Sequence, residues 1–467
     1  MNILSGNLWK LFNSLADDEL KELYKAVRSP LFNYRDEEIR LFEYLHKIRK
    51  GKLHATAGED AYKYVFIDGE KDLTKLRHVM TYLARIITRY LAIREMEQTG
   101  DIKQLLLVRS LRKRNNGKLF LSQYETAKQY LETEMPLSPE LYYGQLQLHT
   151  EFYNFSITNK RTPTEDLQVF TQHLDTFYII QKLKQACNVL SYKNIFKMEY
   201  QPEIMGDTLL MIDQKNMLAN PLVKLLYFNY RCLVDPDDEA LFNQLKYALL
   251  FGSARIDIHE LKDIFTLAIN YCIKRLNTGG QKYYQQVFEI YEAGLKQLVF
   301  EEDGKLSPFT YKNISAIAIG LKKYTWVATF LENYKSRLDN NVREGFYAYC
   351  MARYYFAKSD YNRVTDLLNE VEIKEQFTEL DARVLLIKTY YELDENSLLD
   401  YTIENLKQQL KRRKLQTYHE TVYKNFAKMV SQLIHLRPYD KKAKETFKQK
   451  LISTKALAEK EWLLSKI

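Results

Sequence analysis

Apolar side chains along this chain recur three and four residues apart, the spacing that lines one face of a helix, and short polar links separate the tracts that carry it. Four tracts open with an oxygen-bearing residue followed by proline: Ser138-Pro139, Thr162-Pro163, Asp235-Pro236 and Ser307-Pro308. The missing N–H of proline does no harm in a first helical turn, and the preceding oxygen caps it, so each pair predicts a helix start. Glu140, Glu165 and Asp238 then fall where the helix dipole favours a negative charge. The tracts read as helices of roughly 12–22 residues, joined by links such as Asn277-Thr278-Gly279-Gly280 and Glu302-Asp303-Gly304. Links that short fold each helix back on the last as an antiparallel hairpin. With 15 Gly and 9 Pro in 467 residues, the turn-rich connections of β architectures are not available. The expected fold is all-α, an α-solenoid of antiparallel helical hairpins.

Composition narrows the setting. An apolar fraction of 46% and a charged fraction of 28% suit a folded protein, and 36 Tyr suit half-exposed helix seams, where a ring is buried and its hydroxyl stays wet. Cys187, Cys232, Cys272 and Cys350 form no CxxC pair and read as reduced, buried residues. The first twenty residues lack the charged, apolar and small-residue regions of a leader, and no stretch is apolar enough to span a bilayer. A cytoplasmic protein without membrane insertion is expected. The net charge of +9 is unevenly placed: residues from Asn405 to Ile467 hold 16 Lys and Arg against 5 Asp and Glu, while the rest hold 53 against 55. Such a block reads as the solvated outer face of terminal helices, and also suits an acidic protein, nucleic acid or an anionic surface. A second cluster, Arg109, Arg112, Lys113, Arg114 and Lys118, complements a helix end before the turn at Asn115-Asn116-Gly117.

The most regular tract, Phe346 to Val371, carries Ala352, Tyr355, Asp360-Tyr361, Val364, Leu368 and Val371. In that order they resemble the small crossing residue, the aromatic, the turn and the second-helix packing positions of a tetratricopeptide repeat, with Val364 in place of the usual Ala and no terminal Pro. Ala318, Tyr324, Val327, Leu331 and Tyr334 give a looser copy upstream, and Leu380 to Leu406 keeps the same helix–turn–helix form. The resemblance divides the chain into an N-terminal helical unit (1–100), a degenerate hairpin array (101–300), tetratricopeptide-like repeats (301–436) and a basic capping helix (437–467). In the N-terminal unit the first two helices break at Ser29-Pro30, and Gly51 to Leu73 reads as a short helix with a long loop. The capping helix reads as one element from about Tyr439 to Ser465, with Ala443, Phe447, Leu451, Ala458 and Trp462 on one side.

Phosphate loops, GxSxG elbows, HExxH and paired CxxC are all missing from the sequence. His149, His173 and His259 read as packing or surface residues, and the pairs Asp17-Asp18 and Glu301-Glu302 as caps at helix ends. No enzyme activity and no cofactor are expected. In tetratricopeptide arrays the first helix of each pair lines a concave groove, and the residue after the small crossing position points into it. The resemblance therefore implies that Arg353, and by steps of 35 and 36 residues Lys388 and Lys424, face a groove beside the rings of Tyr349 and Tyr391. The family often grips carboxylate-bearing segments with such cations, through charge-assisted hydrogen bonds. A scaffold or adaptor that binds a protein or peptide partner, acidic segments favoured, is the leading expectation. RNA binding through stacked Tyr and basic side chains, and sensing of a peptide or metabolite, are the alternatives.

Overall fold

Helical tracts joined by short links each have one apolar stripe to bury, and here helix buries against helix. The computed structural model describes residues 2–54, 57–66, 72–159, 166–196, 205–412, 417–437 and 439–467. Among them are 23 α-helices and one two-stranded ribbon. Two compact units result, Met1–Phe177 and Tyr178–Ile467.

In the first unit, α1 (Asn7–Ser14), α2 (Asp17–Val27), α3 (Asp36–Arg49), α4 (Gly58–Val65) and α5 (Leu73–Gln98) close around a core that encloses Phe12, Leu23, Leu41, Tyr44 and Leu45. A separate core of Val108, Phe120, Tyr124, Leu131 and Leu148 joins α6 (Gly100–Lys113), α7 (Gly117–Thr133) and α8 (Pro139–Asn159). Asn115 takes a left-handed φ of 55°, and the Asn116 side chain accepts from the Leu119 N–H to cap α7. The Ser138 hydroxyl accepts from the Leu141 N–H at 3.2 Å, which starts α8 at its proline. Two cations of the 109–118 cluster have a structural partner: Glu151, 4% exposed, accepts from Arg109 Nε (2.7 Å) and Arg112 Nε (2.6 Å). Burial alone would raise this carboxyl's pKa, but the two guanidiniums hold it below the ordinary range.

The helix α9 (Asp166–Phe196) leads into the second unit. There α10 (Met205–Gln214) precedes the hairpins α11 (Pro221–Val234) with α12 (Glu239–Phe251), and α13 (Ile258–Asn277) with α14 (Tyr283–Lys296). After the strands β1 (Glu301–Glu302) and β2 (Lys305–Leu306) come α15 (Pro308–Gly320) with α16 (Tyr324–Lys335), α17 (Arg343–Ala357) with α18 (Tyr361–Glu370), and α19 (Gln376–Glu392) with α20 (Asn396–Arg412). The first helices α15, α17 and α19 pack in succession, and α21 (Thr417–Ile434), α22 (Lys441–Ser453) and α23 (Lys460–Ser465) follow. Ala318, Val327, Leu331, Ala352 and Val364 are fully buried at the hairpin crossings. Four hairpins turn in one way. Gly279, Lys322, Ser359 and Asp394 each take a positive φ, and the next N–H donates to a carbonyl five residues back at 3.0 Å. That closure satisfies the last carbonyls of the first helix and aims the second back along it.

Three expectations are corrected. The Asp235-Pro236 pair opens no helix: α12 starts three residues later with Asp238 as its cap, and the Pro236 carbonyl instead accepts from the Tyr271 hydroxyl at 2.7 Å. The link Glu302-Asp303-Gly304 is the turn of the ribbon, with Asp303 and Gly304 both at positive φ, as a two-residue hairpin turn requires; Glu301-Glu302 is thus a strand and not a helix end. The run from Tyr439 to Ser465 is not one helix. The Lys450 carbonyl collects the Thr454 N–H (3.1 Å) and the Ser453 and Thr454 hydroxyls, so α22 stops, and the chain stays non-helical until Glu459. Thr162-Pro163, with Glu165 after it, lies outside the described residues.

Candidate partner-binding surface

One face of the last hairpins is built from α17, α19 and α21. Periodicity puts Tyr349 and Arg353 one turn apart on α17, and Lys388 and Glu392 one turn apart on α19. Tyr349 is buried, with the Lys312 ammonium and the Arg353 guanidinium 5.8 and 6.0 Å from its ring centre. Arg353 is half-buried and, among the described residues, has no carboxylate within ion-pair distance. Asp381 of α19 ties the layers together: its carboxylate accepts from Lys312 of α15 (3.1 Å) and from the Tyr423 hydroxyl of α21 (2.8 Å).

Lys388 is 7% exposed, and its ammonium lies 4.4 Å from the centre of the Phe356 ring. Its hydrogen-bond partner comes from 71 residues away, Glu459 Oε2 at 2.7 Å. The Lys388 side chain lies deeper than that of Glu459, 9% against 40% exposed. Burial therefore prevails on the lysine and lowers its pKa. On Glu459 burial acts upward, but the Lys388 charge and hydrogen bond outweigh it and keep the carboxyl below its ordinary range.

The chain that brings Glu459 is the non-helical link after α22 together with α23. Asn425 of α21 donates its side-chain amide to the Ala456 carbonyl at 2.8 Å. Glu459 turns the chain in a left-handed conformation (φ 51°). Trp462 then sets its ring edge-on to Tyr391 (5.4 Å, 83°) and near Phe426 (6.4 Å), while its indole N–H donates to Glu392 at 2.7 Å. Lys466 reaches both oxygens of Glu392, Oε1 at 2.6 Å and Oε2 at 2.7 Å, and Leu463 is fully buried.

Of the five residues marked out by the sequence, the structure brings Tyr349, Arg353, Lys388 and Tyr391 to one surface. Lys424 sits apart, half-exposed, and pairs with Glu420 one turn back on its own helix. On α21 the polar residue that meets the 454–467 segment is Asn425, one position further along. Sequence reasoning missed Asn425, Asp381 and Glu392; a one-residue shift of register would have found Asn425, but no local signal marks the other two. It also missed the docked segment. Elsewhere, His149 and His173 stack at 5.1 Å within the first unit, and all four cysteines are buried thiols.

Among the described residues no three His, Cys, Asp or Glu side chains group as metal ligands do, and no helix is long and apolar enough to cross a membrane. Comparison with protein-family models, with curated proteins and with solved structures finds no match of any of the three kinds.

Proposed function

We propose that this protein is a non-catalytic scaffold or adaptor that binds an acidic segment of a partner on the face built from α17, α19 and α21. The buried ammonium of Lys388 carries this reading. A lysine sunk among aromatic rings requires a carboxylate, and on this surface the carboxylate arrives from a distant, non-helical stretch of chain. Asn425 adds a donor for a main-chain carbonyl, Arg353 a second cation, and Tyr391 and Phe426 a seat for a ring. Together these suit a chain segment bearing a carboxylate and an aromatic ring.

Panning a displayed peptide library against the nuclease-treated full chain tests the proposal. Enrichment of segments with an acidic and an aromatic residue is expected, and a Lys388→Glu chain should not enrich them. No enrichment on the wild type or on a Glu459→Lys chain would refute the reading. The RNA-binding alternative draws on the lysines of α22, Lys441, Lys442, Lys444, Lys448 and Lys450; nucleic-acid affinity falling steeply with salt would favour it.

A further inference from the structure

The proposed surface is already occupied by the protein's own chain. We infer that residues 454–467 are an intramolecular stand-in for the partner, and that the partner segment is one that repeats their chemistry: a carboxylate, an indole three residues on, and a cation four residues beyond that. This rests on the adaptor reading and specifies the ligand of the same surface.

The arrangement is charge-matched in alternation. Positive Lys388 holds Glu459, negative Glu392 takes both the Trp462 N–H and the Lys466 ammonium, and neutral Asn425 fixes the main chain at Ala456. A segment of reversed sign, or one without the ring, would leave Lys388 or Glu392 uncompensated. Specificity is therefore written into three points of contact, spaced as Glu459, Trp462 and Lys466 are.

Several features make this occupant displaceable. The helix α23 has six residues, and among them Leu463 is the buried one. Glu459 holds a left-handed backbone that a non-glycine residue adopts at a cost. The link from Lys455 to Glu459 is non-helical, and the Lys460 ammonium, on the Ile452 carbonyl at 2.7 Å, ties it back to α22. Glu459 and Lys466 keep part of their side chains in water, which limits what each ion pair contributes. An incoming segment competes against a tethered one, whose high local concentration sets the threshold for binding.

A labelled synthetic peptide of residues 454–467, titrated by fluorescence anisotropy, tests this with the full chain. The Glu459→Lys, Trp462→Ala chain, whose own tail is repelled and unanchored, should bind the peptide at least about tenfold more tightly than wild type does. A peptide carrying Glu459→Lys should not bind. Equal affinity for both chains, or no binding to a variant whose circular dichroism and unfolding midpoint match wild type, overturns the inference. On wild type itself, saturating peptide should expose Lys460 to trypsin; unchanged protection contradicts displacement. A dimer with exchanged tails contradicts the intramolecular arrangement. Should library segments bind wild type while disabling the tail changes nothing, the adaptor reading stands and this inference falls.

Discussion

The Lys388 ammonium and the Glu459 carboxylate meet at 2.7 Å across 71 residues of chain, the lysine buried and the glutamate reaching it from the rim. The pair links the last long hairpin to the segment that follows α22. Its behaviour on mutation should be asymmetric. Glu459→Gln leaves a buried ammonium without its counter-charge and should cost about 1–3 kcal/mol, reduced from the fully buried case because Glu459 is partly exposed. Lys388→Met, which keeps the volume and removes the charge, should be nearly neutral. Chemical denaturation of both variants measures the difference.

Acid should release the segment through the same pair. Glu459 has a lowered pKa when docked, so its contribution is present above the ordinary glutamate value of about 4.3 and is lost as pH falls through the docked value. Trypsin accessibility of Lys460, followed by mass after brief exposure to each pH, should rise on that limb, and Glu459→Gln should abolish the dependence.

The first unit should lose stability earlier on acidification. Burial, with the neighbouring His149, lowers the pKa of His173 to about 4 from an ordinary value of about 6.5. The folded state therefore resists protonation while the unfolded chain accepts it, so stability falls as pH drops from about 6.5 towards 4. His173→Phe should flatten this part of the profile in thermal unfolding followed by circular dichroism.

In the same unit Glu151 is buried and joined to two guanidiniums. Glu151→Ala leaves Arg109 and Arg112 without their shared acceptor and opens a gap in the α6–α8 layer. A loss of about 2–4 kcal/mol is expected, measured by urea unfolding.

The recurrent hairpin turn offers a stabilising change. Ser359 has φ 60° after α17, a conformation glycine adopts without strain. Ser359→Gly should stabilise by about 0.5–1 kcal/mol, read from the denaturant midpoint; the same substitution at exposed Tyr401, within α20, should destabilise.

How much of this was legible in the sequence follows from the range of each interaction. The fold class and the starts of α8 and α15 are local, set by Ser138-Pro139 and Ser307-Pro308, and they read directly. The four matching turns are local too, but Lys322, Ser359 and Asp394 hold the left-handed position that glycine would have advertised, so the structural repeat is clearer than the sequence repeat. The helix period spaces Arg353 and Lys388 so that both lie near the segment around Glu459, whereas on α21 Lys424 pairs with Glu420 and the neighbouring Asn425 meets the Ala456 carbonyl instead. Trp462 was read on the apolar side of one long capping helix, and Glu459 and Lys466 went unmarked, because nothing near them says that the helix stops at Ser453 or that the chain returns to α19.

The central claim, that this surface binds a carboxylate-bearing segment through Lys388, is tested most directly by charge reversal. The tightest acidic peptide from the library would be titrated against wild type and Lys388→Glu, with the peptide's glutamate and then lysine at the paired position. The account predicts that Lys388→Glu abolishes binding of the glutamate peptide and gains binding of the lysine peptide. Undiminished binding of the glutamate peptide to Lys388→Glu would contradict it.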